Sequence, residues 1–317
     1  RDRSLHSWLL FYFDYICSIQ FSVEMKNRRY AWIFALLLWH GTAAAQKIEF
    51  NHLSIEEGLS SRTVFSLQKD AEGFLWIATD VGVDRYDGRI FKHYPFQGHE
   101  RKYLLRNATG EIFAALTNGK IYKYDDSQDH FVSFLDVKQQ IDPQTTLLTA
   151  SFDRADNLLL GTNTGLFTTH DGRQIIRNER LPVCRISNIV QTDSSLYVFT
   201  PVSNYRMTKD EVREFSVPAL PKRHRVQTSL YDPVTNRLYL GTFEHGLVTL
   251  DATTGEEIKK IRQIPSLPIR SIRIYQDRYL LVGIDGAGIY SLDRYDNSLC
   301  QILHSDPDKP YRISSDG

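Results

Sequence analysis

An all-β propeller is the fold class this sequence predicts, and three observations predict it. A short apolar strand, ending in a small residue in five copies of six and usually followed by Thr, recurs at near-even spacing. Turn-forming residues bracket each copy, and the stretches between turns have the length of strands and not of helices. Tyr and Phe number 17 each, and aromatic side chains favour strands.

The copies, in order, are Leu75-Trp-Ile-Ala78-Thr, Ile112-Phe-Ala-Ala115-Leu, Leu158-Leu-Leu-Gly161-Thr, Leu196-Tyr-Val-Phe199-Thr, Leu238-Tyr-Leu-Gly241-Thr and Leu280-Leu-Val-Gly283-Ile. Steps between the small-residue anchors are 37, 46, 38, 42 and 42 residues, with a mean of 41. A four-stranded propeller blade takes about 40–50 residues. Before five of the six strands comes a polar turn: Asp70–Gly73, Asn107–Gly110, Asp153–Asn157, Asp232–Arg237 and the shorter Asp277-Arg278. Asp and Asn cap such turns with their side chains, and Gly accepts positive φ. After each comes a third strand: 83–86, 120–124, 165–168, 204–207, 246–250 and 288–292. A fourth follows in most copies, as at 90–94, 131–134 and 257–261. Nothing is left over for a helix, which excludes parallel βαβ units and helical solenoids.

An isolated small sheet cannot bury both faces, whereas radially stacked sheets bury each against its neighbours. Small residues such as Ala78, Gly161, Gly241 and Gly283 are expected where blades crowd. Trp76, Tyr197 and Tyr239 are expected to fill the widening space, on faces the sequence leaves open. The ends complement each other. Residues 48–53 read as a fourth strand without its own blade, and 312–315 as the lead-in to another. Propellers close by completing one blade from both termini. The expectation is six complete blades and an incomplete seventh, seven in the intact domain, with residues 46–317 forming an N-terminal propeller truncated at its C-terminus.

The segment before the repeats reads differently. Residue 1 is Arg, and 1–24 are expected to be a leader foreign to the native product. Residues 25–45 read as a secretory signal peptide. Lys26, Arg28 and Arg29 precede nine apolar residues, Ala31–Trp39, and then Ala43-Ala44-Ala45. A buried strand or a membrane anchor is the alternative, but nine apolar residues are too few to span a bilayer as a helix. Export permits disulfides. Cys17 lies in the leader, and Cys184 and Cys300 are read as two buried thiols or one bridge.

The chain has 317 residues with 38 basic and 38 acidic side chains. That balance provides no global attraction to nucleic acid or an anionic membrane surface. Hydrophobic residues at 42% are enough for a substantial core. Among ten histidines, His52 and His93 share an outer-strand position, and no ligand spacing points to a metal or cofactor. The turn aspartates Asp70, Asp153, Asp232 and Asp277 repeat in phase with the blades. Turn capping therefore explains them better than a catalytic carboxylate pair. No G-x-S-x-G or phosphate loop is present.

Residues 50–88 resemble the opening of the periplasmic sensor region of Bacteroidetes hybrid two-component regulators. That family's regulator-propeller pattern is a Gly-Leu-Ser lead-in, an Asp-x-x-Gly turn, Leu-Trp-Ile-Gly-Thr, Gly-Leu and Arg-Tyr-Asp. Here it is met by Gly58-Leu59-Ser60, Asp70–Gly73, Leu75–Thr79, Gly82 and Arg85-Tyr86-Asp87-Gly88, with Ala78 replacing Gly. Later copies keep Gly161-Thr162 and Gly165, Thr200, Gly241-Thr242 and Gly246, and Gly283 with Gly288. All these residues are expected to serve the repeat structurally.

The resemblance implies a ligand-sensing part of a histidine kinase receptor. Full-length members have two seven-bladed propellers, an immunoglobulin-like domain, one membrane helix and cytoplasmic kinase, receiver and DNA-binding parts. It further implies a periplasmic location, an oligosaccharide ligand, dimerisation through downstream domains, and no catalysis in this chain, which lacks the kinase part. A propeller lyase or glycosidase, or an inert or scaffolding remnant, are the competing readings, because a propeller alone does not specify function. Four residues are candidate ligand contacts. Tyr205 and Arg206 interrupt the fourth copy, and departures from a repeat are where a scaffold can carry a site. Arg223 and Arg225 belong to Lys222-Arg223-His224-Arg225, the densest basic cluster, read as a solvated loop or as a contact for an acidic sugar or partner.

Overall fold

Residues 53–304 are described by a computed structural model of the chain. Within them, every strand belongs to one of six four-stranded sheets built from consecutive strands. Blade 1 comprises β1–β4 (64–95), blade 2 β5–β8 (102–136), blade 3 β9–β12 (147–177), blade 4 β13–β16 (188–215), blade 5 β17–β20 (226–260) and blade 6 β21–β24 (269–303). Neighbouring strands in each blade pair antiparallel. The six expected blades are therefore present. The expected leader, the signal peptide, residues 48–52 and the 312–315 lead-in lie outside the described residues.

Buried cores join blade 1 to 2, 2 to 3, 3 to 4, 4 to 5 and 5 to 6. The second strands β6 (Ile112–Leu116) and β10 (Leu158–Thr162) are buried at every residue. Burial on both faces produces such continuous apolar runs. In blade 6, by contrast, β22 (Tyr279–Ile284) alternates. Leu280, Val282 and Ile284 are buried toward blade 5, whereas Tyr279, Leu281 and Gly283 are half-buried.

The faces left open by the sequence are settled by the packing. A Cβ on Gly241 would lie 2.6 Å from Thr228 Cγ2 of its own blade and 2.7 Å from Ile269 Cγ2 of the next. Gly161 is squeezed in the same way by Thr149 and Ile186. The large residue two positions earlier shares that face and fills the outer part of the wedge. Trp76 lies 4.6 Å from Tyr124 and 5.8 Å from Phe131 of blade 2, measured between ring centroids. Tyr197 and Tyr239 are fully buried, and each hydroxyl donates to a turn carbonyl of the following blade, Ala252 O at 3.3 Å and Arg294 O at 3.2 Å. A buried Tyr needs such a partner.

The Thr of the motif closes the hairpin between second and third strands. Thr79 Oγ1 accepts from Gly82 N and donates to Gly82 O, both at 3.2 Å. Thr162 repeats this with Gly165, Thr200 with Ser203, and Thr242 with the 245–246 backbone. Asp87 organises the next turn, its Oδ1 accepting from Ile90 N at 2.8 Å and Arg89 N at 2.7 Å. Those bonds, Ile90's first, hold its carboxyl below the usual range. Gly88 has φ +98° with nothing within 4 Å of a Cβ, so conformation and not space demands glycine there.

Two expectations are corrected. One helical turn does occur, α1 (Val137–Gln140), capped by Asp136 through Lys138 N and Gln139 N. It lies in the connector between blades 2 and 3, within the 46-residue step that is the longest of the five. Cys300 is exposed rather than buried, and neither Cys184 nor Cys300 is in a disulfide.

Blades 5 and 6 also share a buried ion pair. The Arg294 guanidinium, 3% exposed, meets the fully buried Asp232 carboxylate through two nitrogens and donates a third bond to Asp277 O at 2.8 Å. Burial pushes the Asp232 carboxyl up, but bonds from Arg294, Thr235 and Val234 outweigh it, leaving the group below the usual range.

Arg294→Met is expected to destabilise the chain by about 3–5 kcal/mol, because it strands the Asp232 charge without a partner. In urea unfolding, Gly241→Ala is expected to cost about 1–3 kcal/mol by overpacking. Gly283→Ala is expected to cost less, since its Cβ would meet only the Ser271 side chain, with Oγ at 2.6 Å and free to rotate away. Equal costs for the two glycines would refute the crowding argument.

Candidate functional site

Each blade has turns at two rims. One rim carries the turns between first and second and between third and fourth strands. Its polar groups are spent on holding the fold. Asp70 accepts from Gly73 N, Phe74 N and Trp76 Nε1. Asp153 accepts from Ala155 N, Asn157 N and Asn157 Nδ2. Asp232 is committed to Arg294 and to its own turn. Asp277 departs from the expectation, serving through its backbone at φ +51° and its carbonyl bond to Arg294. The other rim carries the Thr-closed hairpins and the blade-to-blade connectors, and the basic cluster lies there.

A groove of about 720 Å³ runs between the blade 4 hairpin and the 216–225 connector. Val202, Ser203 and Asn204 form one side. Glu214 and Phe215 of β16 (Val212–Phe215) line it below, and Leu220 to His224 form the other side. Lys222 and Arg223 are exposed on its lip, and His224 and Asn204 are buried in its floor. The connector is pinned at several points. His224 N donates to Pro201 O at 3.1 Å, Phe243 N to Arg225 O at 3.0 Å, and Ala219 N to the Glu257 carboxylate of blade 5 at 2.7 Å. Both lip cations therefore ride on a segment tied to two blades.

A second groove, of about 750 Å³, opens between the outer strands of blades 1 and 2. Several of its polar groups are paired with one another: Lys92 with Asp129, Tyr94 OH with Asp129 and Asn118 with Glu100. The blade 4 groove instead presents two cations on its lip, and it is the candidate site.

The four sequence candidates separate here. Tyr205 packs against the core between blades 3 and 4, and burial raises its phenol pKa. Arg206 is held by Ser195 Oγ at 3.0 Å within blade 4. Neither lines the groove. Arg223 does, and Arg225 lies just beyond it with its guanidinium 5.6 Å from the centre of the Phe243 ring. Asn204, Glu214 and Phe215 were missed, because only strand pairing brings them beside the connector. One signal was available. The fourth copy has Phe199 where the third, fifth and sixth have glycine. Phe199 is fully buried in one cluster with Val217, Leu220 and Val226, so the bulky substitution supports the connector from beneath.

His224 links the floor to pH. Its Nδ1 lies 2.9 Å from Pro221 O, an acceptor only, so Nδ1 carries the proton of the neutral ring. Nε2 lies 2.9 Å from the Asn204 side-chain amide, which can turn its NH₂ toward a neutral ring or its oxygen toward a charged one. Burial lowers the His224 pKa below 6.5, overriding the Pro221 carbonyl bond.

The unfolded chain therefore takes up this proton first as pH falls. His224 favours the folded state fully above about pH 6.5, and that contribution is lost below it, down through the depressed folded pKa. Relative to the parent, His224→Gln is expected to flatten the stability–pH curve between pH 6.5 and 5, as read by urea midpoints. An unchanged slope would count against this assignment.

Among the described residues there is no group of three or more His, Cys, Asp or Glu placed to hold a metal, and no helix long and apolar enough to cross a membrane. No curated protein matches the chain. The two component regulator propeller family matches residues 58–81, the first-blade motif from Gly58 to the hairpin after Thr79. The extracellular domain of the putative hybrid two component system BT3049 from B. thetaiotaomicron is similar at TM-score 0.69 and 21% identity over 85% of this chain. The extracellular domain of the putative hybrid two component system BT4673 from the same organism is similar at TM-score 0.65 and 20% identity, also over 85% of this chain. This chain spans 38% and 36% of the lengths of those two structures. The WD40 propeller domain of Doa1 is similar at TM-score 0.59 and 11% identity, over 77% of this chain and 83% of that one. The chain thus carries a two component regulator propeller repeat on a propeller fold shared with extracellular domains of hybrid two-component systems.

Proposed function

We propose that the chain is the ligand-sensing propeller of an extracytoplasmic two-component receptor, located in the periplasm and responsive to glycans. The observation carrying this reading is the regulator-propeller repeat at 58–81, on a fold similar to extracellular domains of such systems. The rim chemistry supports sensing over catalysis. The turn carboxylates Asp70, Asp153 and Asp232, which a hydrolase would need in facing pairs, accept hydrogen bonds from their own turns. Loops on a rigid scaffold are where recognition concentrates. A ligand on the connector rim would bias a dimeric arrangement formed by domains further along the chain, and those domains would carry the phosphotransfer.

A thermal-shift screen of the purified chain against a panel of oligosaccharides tests this. A ligand present at a hundred times its Kd stabilises by about 2.7 kcal/mol, which is a shift of a few degrees for a chain this long. At least one oligosaccharide is expected to raise the Tm without release of new reducing ends. Turnover of the sugar would move the reading to an enzyme, and a silent panel would count against glycan sensing.

A further inference from the structure

Charge and shape at the blade 4 groove go further than the general sensing role. Lys222 and Arg223 bring two positive charges to the lip, with Arg225 beside them. Glu214 is the one carboxylate among the lining residues, and it already accepts from Ser203 Oγ at 2.6 Å. The cations have no carboxylate partner within ion-pair distance among the described pairs. Lys92, Lys123, Arg154, Arg270 and Arg278 each pair with an Asp or Glu, whereas the lip cations, like the exposed Lys209 and Arg213, are in none of the described pairs; what sets Lys222 and Arg223 apart is that both stand on one groove.

The walls are mixed in character. Val202 is 59% exposed, and Phe215 and Pro221 add apolar surface. Ser203 and Ser216 supply hydroxyl groups between them. A sugar ring presents an apolar C–H face and a polar edge, and this wall offers a counterpart to each. A neutral sugar would leave the two lip cations unused. A carboxylate on the ring would engage them through charge-assisted bonds, which are shorter and stronger than neutral ones. Pinning of the connector to blades 4 and 5 limits the ordering cost of placing both cations.

We infer that this groove binds a uronic acid unit of an acidic oligosaccharide, its carboxylate on Lys222 and Arg223 and its C–H face toward Phe215 and Val202. The inference rests on the glycan-sensing reading and names the ligand class for that site. His224, in the floor, is lowered in pKa by burial and by His245, and shares the groove with Lys222, Arg223 and Glu214 while Arg225 follows it in the chain. A bound carboxylate would offset the positive neighbours, so uronate affinity is expected to rise as pH falls from 7 to 5.5, while the uronate itself stays ionised.

Isothermal titration of the full chain with an α-1,4-linked galacturonic acid trimer and with its methyl-esterified, neutral counterpart tests the inference. The acid is expected to bind at least tenfold more tightly than the ester, with affinity falling as salt rises. A Lys222→Gln/Arg223→Gln double variant is expected to lose at least tenfold for the acid. Arg173→Gln, at an exposed position on blade 3, is expected to lose nothing. Equal binding of acid and ester, or a double variant that binds like the parent, would overturn the inference. If neutral oligosaccharides from the thermal-shift panel bind while the acid trimer does not, this inference falls and the sensing role stands. If nothing in either set binds, both fall.

Discussion

The wedge between neighbouring blades is the constraint on which the rest of the structure depends. Sheets stacked around an axis crowd at the inside and separate toward the outside, so one strand face must be small at one end and large at the other. Gly161 and Gly241 sit where a Cβ would strike the inner strands of two blades. Trp76, Tyr197 and Tyr239 fill the same face two residues away and are essentially fully buried. Burying such large side chains removes much apolar area from water, at roughly 25 cal/mol per Å². Their polar tips would cancel part of that gain if left alone, and each finds a partner in a turn of its own or the following blade. The motif therefore joins blades as well as building them.

This arrangement divides the work between the two rims. At one, aspartates and buried aromatics bind each turn to its neighbour, and the Asp232–Arg294 pair does so with full charges. Those side chains are committed. At the other rim the hairpins are closed by local backbone bonds, joined in blades 1, 3, 4 and 5 by a Thr hydroxyl, so the connectors beside them vary in length and sequence. The longest repeat uses that freedom for one helical turn. The fourth uses it for a basic connector supported by Phe199, where the other copies have alanine or glycine.

Rigidity and exposure meet in that connector. Its backbone is tied to Pro201, Phe243 and Glu257, whereas Lys222 and Arg223 point no charge at a neighbouring carboxylate. For the sensing role proposed above, a connector tied to two blades would hold a ligand without large movement of its own. The role proposed for it needs no catalytic group.

The sequence by itself determined the repeat, the strand order within each blade and the turn chemistry. Spacing, alternation and Asp, Thr and Gly at turns are local properties, and local hydrogen bonds enforce them. The expected second, third and fourth strands appear within two residues of where spacing placed them, as with 131–134 inside β8 (His130–Asp136). Only the tertiary structure decided which face each aromatic occupies, that Tyr205 and Arg206 are held within blade 4 and against its blade 3 core, and that Arg223 shares a groove with Asn204 and Glu214. Asn204 and Glu214 meet the connector through pairing between strands β15 (Asn204–Met207) and β16 and the folding-back of a loop. Such long-range contacts leave no periodic trace in the chain. Phe199 was legible as a broken pattern, but its consequence was not, because a bulky residue acquires meaning only from what packs above it.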